Sequence, residues 1–257
     1  MKAQVALVTG GASGLGLACV EHFCKLGVKV IAVDLPGDGK ATELAKFGDA
    51  VQFMPADVTS EQDISQIIDH IEKQYGHLDV CINSAGIQVR QLAYDFQKQK
   101  PHDLQLWTKV LTVNTMGTFN VLCLAVGLMA KNTPNEDGER GVVINLSSSL
   151  GFEGSAGFSA YAASKAAING MTLPLAREFG PMGIRVVAIA PGLMETPMTT
   201  NFPPQLKDAL FERFTNIAAF PKRAGRAEEL ARFVQSVVET PMINAEVIRF
   251  DGGSRNP

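Results

Sequence analysis

The chain has 257 residues, of which 46% are hydrophobic and 19% are charged, a length and composition typical of one large α/β domain with a substantial core. Its net charge is −3 and it carries no basic block, so nothing in the composition indicates a nucleic-acid-binding surface. The four cysteines lack Cys-x-x-Cys spacing and the four histidines form no ligand motif. We therefore expect buried free thiols, a reducing compartment and no metal site.

No presequence or membrane span is predicted. The first four residues lead directly into an apolar strand pattern, and the longest apolar run, residues 121–130, is about half of a membrane span. We expect a soluble protein in the cytoplasm, with the mitochondrial matrix as the alternative.

Short β-branched runs alternate with longer amphipathic stretches along the chain. The runs predict strands at residues 5–8, 28–33, 51–54, 78–82, 142–146, 185–189 and 246–250. The amphipathic stretches predict helices at residues 15–26, 64–75, 104–129, 161–179 and 227–238. This alternation predicts a single domain over residues 1–257, a Rossmann-type doubly wound parallel sheet of seven strands with helices on both faces.

A glycine-rich turn follows the first predicted strand and opens the first predicted helix. Gly10, Gly14 and Gly16 permit a tight turn and a close approach of the backbone to a ligand. The N-terminus of the helix presents N–H groups and the positive end of its dipole to a pyrophosphate. The turn therefore predicts a nucleotide site.

Asp34 ends the second predicted strand, where its carboxylate can accept hydrogen bonds from ribose hydroxyls and repel a 2′-phosphate. No arginine or lysine lies in the glycine turn or directly after Asp34. We therefore predict NAD rather than NADP as the cofactor. A helix-capping role for Asp34 is the alternative.

Polar or small residues also follow the third and fourth predicted strands, at edges where open α/β sheets bind ligands. Asp57 can hydrogen-bond the amino group of adenine, and the small residues of the turn Asn83-Ser84-Ala85-Gly86 can pass beside the adenosine ribose. Either segment can equally be an ordinary turn.

Tyr161 and Lys165 are four residues apart and so share one face of a predicted helix. A fixed cation close to a phenol favours the phenolate and lowers the tyrosine pKa towards neutral pH. Ser148, at the end of a predicted strand, can hydrogen-bond the same substrate oxygen. The three residues favour proton exchange with an alcohol or a ketone, although a Tyr-x-x-x-Lys pair alone is ordinary on a helix surface.

Residues 192–220 are rich in methionine, phenylalanine and proline: Met194, Met198, Phe202, Pro203, Pro204, Phe211, Phe214 and Phe220. Apolar material after a strand end predicts a lid over an apolar ligand. The alternative is a helical excursion packed into the core. Residues 88–100 and 132–141 are two further insertions, the second rich in turn residues.

Several motifs occur in the order and spacing of the short-chain dehydrogenase/reductase family: Gly10-x-x-x-Gly14-x-Gly16, Asn83-Ser-Ala-Gly86, Asn114, Ser148, Tyr161-x-x-x-Lys165 and Pro191-Gly192. Within that family, further segments resemble the type II 3-hydroxyacyl-CoA dehydrogenases, also called 17β-hydroxysteroid dehydrogenase type 10: residues 9–18, 55–60, 116–121, 152–154, 170–174, 189–193 and 246–249. The resemblance spans almost the whole chain.

The resemblance implies roles for individual residues. Tyr161 would be the acid–base residue, Lys165 would bind the nicotinamide ribose and lower the tyrosine pKa, and Ser148 would polarise the substrate oxygen. Asn114 would hold a water in the proton relay. The implied cofactor contacts are Ser13 and Leu15 at the pyrophosphate turn, Val58 beside Asp57 near adenine, and Pro191, Gly192 and Thr196 at the nicotinamide side.

The resemblance also implies an activity and an assembly. The expected reaction is NAD-dependent, reversible oxidation of 3-hydroxyacyl-CoA thioesters by a homotetramer. The alternatives are a dehydrogenase of hydroxysteroids or other secondary alcohols, and a scaffold in a tRNA-processing complex, for which the sequence shows no basic surface of its own. Glu195 departs from the glycine of the subfamily, and a charge at the base of the lid can alter substrate preference or lid motion.

Overall fold

The computed structural model describes residues 4–37, 39–201 and 203–255. A seven-stranded sheet forms its centre, built from β1 Val5–Thr9, β2 Lys29–Asp34, β3 Val51–Pro55, β4 Val80–Asn83, β5 Gly141–Leu146, β6 Ile184–Pro191 and β7 Val247–Phe250. All neighbouring strands are parallel, in the order β7-β6-β5-β4-β1-β2-β3. The strand order reverses between β1 and β4, and this switch point is where doubly wound sheets bind ligands.

Helices cover both faces of the sheet. Those longer than one turn are α1 Gly14–Lys25, α2 Lys40–Ala45, α3 Glu61–Tyr75, α4 Leu104–Leu111, α5 Thr118–Met129, α6 Ser159–Phe179, α7 Pro204–Ile217 and α8 Ala227–Glu239. The smaller elements are one-turn helices at Leu150–Glu153 and Pro197–Thr200, an antiparallel pair Tyr94–Asp95 with Lys100–Pro101, and a parallel pair Met194–Glu195 with Gly225–Arg226.

Each strand contributes to two hydrophobic cores because its side chains alternate between the faces of the sheet. Ala6 and Val8 of β1 lie in the core that contains α1 and α8, whereas Val5 and Leu7 lie in the core that contains α3, α5 and α6. Since both faces are covered, the strands are mostly apolar along their length, as their sequences indicated.

The predicted fold class and all seven predicted strands are confirmed, with ends shifted by two residues or fewer. The helix predicted over residues 104–129 differs, because a six-residue π-helix at Thr112–Gly117 separates α4 from α5. Helix α2 and the one-turn helices were not predicted. Each has six residues or fewer, which is too short for a helical repeat to show.

The continuous helical segment Leu104–Met129 is long and apolar enough to span a membrane by length and composition alone. In the fold it packs against α3, α6 and strands β4 and β5, as a core helix does. The expectation of buried thiols holds for Cys19 and Cys81 but is wrong for Cys123, which is exposed on α5.

Candidate active site

Two loops meet at the switch point between β1 and β4. Thr9 Oγ1 accepts hydrogen bonds from the backbone N–H groups of Ser84 and Ala85, each at 3.2 Å. A Cβ atom added at Gly10 would lie 2.9 Å from the backbone N and Cα of Ala85. The predicted turns at Gly10 and at residues 83–86 therefore lie side by side, and their close contact requires small residues.

The glycine turn leaves the N-terminus of α1 open to an anion. Gly10 and Gly14 have φ of +64° and +53°, which other residues adopt only with strain, and a Cβ at Gly16 would collide with the carbonyl oxygen of Gly10. Ser13 is the N-cap residue, yet its side chain makes no capping hydrogen bond, and the first turn of α1 contains no acidic residue. This backbone fits a pyrophosphate held by the helix N-terminus.

Asp34 lies at the end of β2 beside this turn, as predicted. Its Oδ2 accepts from Ala12 N at 3.2 Å, and its Oδ1 accepts from Leu35 N at 2.8 Å. Although no arginine or lysine directly follows Asp34 in the sequence, Lys40 Nζ also binds Oδ1 at 2.8 Å. The loop between β2 and α2 folds back over the strand end, a contact that the spacing of six residues does not reveal.

The residues predicted near adenine make internal contacts. Asp57 Oδ1 accepts from Thr59 N at 2.9 Å and from Thr59 Oγ1 at 2.8 Å, so its carboxylate holds a turn. Val58 lies against the π-helix, since a Cβ at Gly117 would come within 2.6 Å of Val58 Cγ2. Both residues lie at the carboxyl end of β3, on the adenine side expected from the strand order.

Asn83 is buried inside the sheet, and its Nδ2 donates to Asn145 Oδ1 at 2.9 Å. This bond joins β4 to β5 at their carboxyl ends. The side chain of Asn83 therefore stabilises the floor of the crevice, while Ala85 and Gly86 form its rim.

Tyr161 and Ser148 come together as predicted. Tyr161 lies in the first turn of α6, Ser148 follows β5, and both side chains line the same cleft. The Ser148 hydroxyl also accepts from Leu150 N at 3.2 Å, which orients its oxygen. Burial raises the pKa of Tyr161 to about 12, and the nearby Ser148 hydroxyl opposes this rise only in part.

Lys165 lies one helical turn along α6, with its Nζ 5.6 Å from the centre of the Tyr161 ring. The ammonium donates to the carbonyl of Leu146 at 2.7 Å. Burial lowers the pKa of Lys165 to about 8. The expectation that this lysine lowers the tyrosine pKa is not met in the structure, because burial dominates at the phenol and Leu146 holds the ammonium.

Asn114 lies in the π-helix, and both ends of its amide are bound to the backbone of Ile87. Its Oδ1 accepts from Ile87 N at 2.8 Å, and its Nδ2 donates to Ile87 O at 2.9 Å and to Ser164 Oγ at 3.0 Å. A Cβ at Gly86 would lie 3.2 Å from Asn114 Oδ1 and 3.7 Å from Lys165 Nζ. The structure thus brings Asn114 and Lys165 to the same edge of the crevice.

A cleft of about 1010 Å³, partly open to solvent, extends from Ser148 and Tyr161. Leu15, Pro191, Gly192 and Thr196 line it on the side of the glycine turn, where a Cβ at Gly14 would lie 3.5 Å from Thr196 Cβ. The predicted nicotinamide-side residues therefore connect the nucleotide turn with the catalytic side chains.

The segment predicted as a lid forms part of the apolar wall of this cleft. Met194, Met198 and Phe214 line the cleft, whereas the side chain of Phe220 is 81% exposed. Phe202 lies outside the described residues. Glu195 is exposed and pairs in register with Arg226 in the short parallel ladder, so its charge lies outside the cleft.

Several cleft residues on α7 were not among the site residues predicted from the sequence. Leu210, Phe214 and Ile217 follow a helical spacing and face the cleft together. Arg213 donates from Nη1 to Ser155 Oγ at 3.3 Å, which links α7 to the loop that precedes α6. The apolar residues within 203–217 recur at helical spacing, so the sequence contains a signal for this face. The contact of Arg213 with Ser155 depends on the tertiary fold and has no such signal.

The chain is similar to known proteins along its length. The family model described as short chain dehydrogenase matches residues 4–207. A 3-hydroxyacyl-CoA dehydrogenase type-2 of Drosophila melanogaster is 46% identical to this chain, over 99% of this chain and 98% of the relative. The 3-hydroxyacyl-CoA dehydrogenase type-2 of Homo sapiens is 45% identical, over 99% of this chain and 96% of the relative. The crystal structure of a 3-hydroxyacyl-CoA dehydrogenase type-2 from Mycobacterium avium matches with a TM-score of 0.90 and 33% identity, over 100% and 97% of the two chains.

Proposed function

The chain belongs to the short-chain dehydrogenase family, and from this membership we propose that it oxidises the 3-hydroxyl group of 3-hydroxyacyl-CoA thioesters, reversibly, with NAD as the hydride acceptor. One observation carries the proposal. Ser148 and Tyr161 lie together where an apolar cleft meets the glycine-rich nucleotide turn. An alcohol in the cleft can therefore contact a proton acceptor and a hydride acceptor at once.

The protein's part in the reaction is to position the alcohol and to move its proton. Tyr161 in its phenolate form accepts the proton of the substrate hydroxyl, while Ser148 donates a hydrogen bond to the same oxygen. Lys165, held by the carbonyl of Leu146, binds the nicotinamide ribose and places its positive charge beside the phenolate. In the reverse direction the phenol returns the proton to the ketone oxygen.

The residues around the switch point fit a nicotinamide dinucleotide. The N-terminus of α1 would hold the pyrophosphate, Asp34 would accept a hydrogen bond from the adenosine ribose, and Asp57 with Val58 would border adenine. When bound, the nicotinamide supplies the acceptor for the hydride and a positive charge that lowers the pKa of Tyr161. Pro191, Gly192 and Thr196, which line the cleft, would border the nicotinamide and shield the reacting carbon from water.

Asn114 serves the proton relay by holding a water between Lys165 and bulk solvent. Both ends of its side-chain amide are engaged with Ile87, which fixes the position of Asn114 in the π-helix beside Lys165.

The apolar lining of the cleft is consistent with an acyl chain, and it also fits the rings of a hydroxysteroid or another apolar secondary alcohol. These substrates are distinguished by NADH production from 3-hydroxyacyl-CoA thioesters of increasing chain length and from a panel of hydroxysteroids. The proposal requires the highest kcat/KM with a thioester. A steroid or a simple alcohol as the best substrate contradicts the acyl-CoA assignment.

Tyr161→Phe tests the catalytic assignment. Removal of the phenolic oxygen is expected to lower kcat by about 10²–10⁴-fold, because general acid–base catalysis is lost while the nucleotide turn is intact. NAD affinity, measured by calorimetry, is expected to change little. Tyr94→Phe is the control, since Tyr94 is exposed on the hairpin at residues 94–101. Near-normal turnover of Tyr161→Phe contradicts the mechanism.

We also propose a homotetramer for the assembly and the cytoplasm for the location, with the mitochondrial matrix as the alternative. The apolar surface of the layer formed by α4, α5 and α6 supports the oligomer.

A further inference from the structure

Ser147 comes directly before Ser148, and the proposed mechanism gives it no role. Although Ser147 borders the cleft, its hydroxyl is directed to α6. It donates to the main-chain carbonyl of Lys165 at 3.1 Å and to Asn169 Oδ1 at 2.5 Å, and so shares one proton between two acceptors. The N–H of Ser147 donates to the carbonyl of Ile189 in β6 at 2.7 Å. Ser147 therefore joins the sheet to the helix that carries the site.

Lys165 is held at two points by consecutive residues at the end of β5. Ser147 donates to its main-chain carbonyl, and the carbonyl of Leu146 accepts from its ammonium at 2.7 Å. Ser147 and Lys165 are both buried, so bulk water does not compete for either bond. The place of the Lys165 backbone and the place of its charge therefore both depend on this strand end.

Asn169 lies one helical turn after Lys165 on α6 and contacts the one-turn helix Leu150–Glu153. A Cβ atom added at Gly151 would lie 2.9 Å from Asn169 Nδ2 and 2.9 Å from the carbonyl carbon of Lys165. Asn169 Nδ2 is buried there and has no hydrogen-bond partner among the described residues. The amide of Asn169 is thus held by its bond to Ser147 and by close packing against Gly151.

Ser148 is connected to both sides of this contact. It follows Ser147 in the chain, and its Oγ accepts from the N–H of Leu150, in the one-turn helix, at 3.2 Å. On its other side, the N–H of Ser149 donates to the carbonyl of Pro191 at 2.8 Å. The hydroxyl of Ser148 therefore takes its position from Ser147 and from the packing of the one-turn helix on Asn169.

We propose that Ser147 and Asn169 are positioning residues for the reaction: their hydrogen bond sets the strand end that carries Ser148 against the helix that carries Tyr161 and Lys165. The inference rests on the proposed oxidation of a secondary alcohol, but not on which alcohol is oxidised. A displacement of about 1 Å at a reacting centre can lower a rate about 10²-fold. A single bond at this junction is therefore enough to affect turnover.

Ser147→Ala and Asn169→Leu test this role singly and together, by NADH production with the best substrate of the thioester and steroid panel. Each single variant is expected to lower kcat about tenfold and to change KM less than about threefold, because the catalytic groups shift while the apolar cleft is intact. The double variant is expected to lose about tenfold as well, since both substitutions remove the same bond. Two independent effects would multiply to about a hundredfold.

Thr172→Val is the matched control. Thr172 is also buried on α6, and its Oγ1 donates to the main-chain carbonyl of Ile168 at 2.8 Å, so this variant removes the same kind of bond about two turns beyond Lys165. Its kcat is expected to be unchanged. Ser147→Thr keeps the hydroxyl and is expected to retain kcat. Thermal melting of each variant measures its stability, and kcat is expressed per folded chain.

A second measurement uses no substrate. In the NAD complex, the tyrosinate absorbance of Tyr161 is obtained as the difference between a chain and its Tyr161→Phe variant. This signal is expected to move to higher pH when both chains carry Ser147→Ala, because a displaced Lys165 stabilises the phenolate less. A purely structural role of Ser147 lowers the melting temperature without moving this titration.

The proposal is overturned if Ser147→Ala leaves kcat or the Tyr161 titration unchanged, if Thr172→Val loses as much turnover, or if the double variant loses about a hundredfold. It is also overturned if Ser147→Thr loses as much kcat as Ser147→Ala. A protein that oxidises no alcohol of the panel contradicts the proposed function instead, and the titration then decides this inference by itself. A steroid as the best substrate contradicts the acyl-CoA assignment alone.

Discussion

Tyr161 and Lys165 lie one helical turn apart, and burial changes their pKa values in opposite directions. Burial favours the neutral form of each group, so the pKa of the phenol rises to about 12 and that of the ammonium falls to about 8. The free protein therefore holds Tyr161 as a phenol at neutral pH. A further positive charge, which the nicotinamide supplies in our proposal, is needed to form the phenolate.

The raised pKa of Tyr161 predicts that this residue ionises only at high pH in the free protein. In the free protein, the tyrosinate absorbance of the unaltered chain minus that of Tyr161→Phe is expected to be zero below pH about 10, because the folded-state pKa lies above the ordinary value for tyrosine. With NAD bound, the same difference is expected to appear at lower pH. The chain has only three tyrosines, which makes the difference measurable.

Tyr94→Phe again provides the matched control, since Tyr94 is exposed on the hairpin at residues 94–101. A tyrosinate signal from Tyr161 at pH 7–8 without cofactor would show that Lys165 alone lowers the pKa.

The sequence predicted which site residues lie together where those residues are close in the chain. Tyr161 and Lys165 share one helix, and Gly10, Gly14 and Gly16 share one turn. Lys40 was missed because its contact with Asp34 depends on the path of the intervening loop, which local spacing does not define.

At the scale of elements, Arg185 of β6 forms a buried ion pair with Glu139, in the loop before β5, and also binds the end of α8. Arg185 Nε donates to Glu139 Oε1 at 2.7 Å, and both side chains are less than 10% exposed. The same guanidinium donates to the carbonyls of Val237 and Val238 at the last turn of α8, at 3.0 and 2.9 Å, and to that of Ile243 at 2.8 Å. Arg185 therefore satisfies carbonyl groups that a helix end leaves without partners.

Arg185→Met is expected to lower the free energy of unfolding by about 3–5 kcal/mol, because the buried Glu139 loses its guanidinium and three carbonyls lose a donor. Denaturant unfolding at neutral pH measures this loss. Lys131→Met is the control: Lys131 pairs with Glu72 at 2.6 Å, but the two side chains are 61% and 41% exposed. Such an exposed pair contributes about 1 kcal/mol or less. Equal losses in the two variants would contradict the structural role of Arg185.

At the scale of the whole molecule, the two helix layers differ in their outer surfaces. Exposed apolar side chains concentrate on the layer of α4, α5 and α6: Leu104, Leu106, Met116, Phe119 and Leu173. A surface of this kind on a helix pair marks an interaction site. It is the physical basis for the proposed homotetramer.

Phe119→Arg is expected to break this association, because it places a charge within an apolar interface. Light scattering after size exclusion measures the mass, which we expect to be four chain masses for the unaltered protein and fewer for the variant. Leu26→Arg is the control, since Leu26 is similarly exposed at the end of α1 on the other layer. A monomeric unaltered protein, or a tetrameric Phe119→Arg, contradicts the proposal.

The sequence by itself determined the doubly wound sheet, the glycine turn and the Ser148, Tyr161 and Lys165 set. Each depends on short-range periodicity or on strand ends that a parallel sheet must bring together. Only the tertiary structure decided which charges meet and how far burial shifts them. The pKa of Tyr161 rises because the fold removes water from the phenol, and Asp34 is neutralised because a loop returns Lys40 to it. The burial of a side chain and the path of a loop both depend on many contacts between residues that are distant in the sequence. No local sequence pattern therefore predicts them.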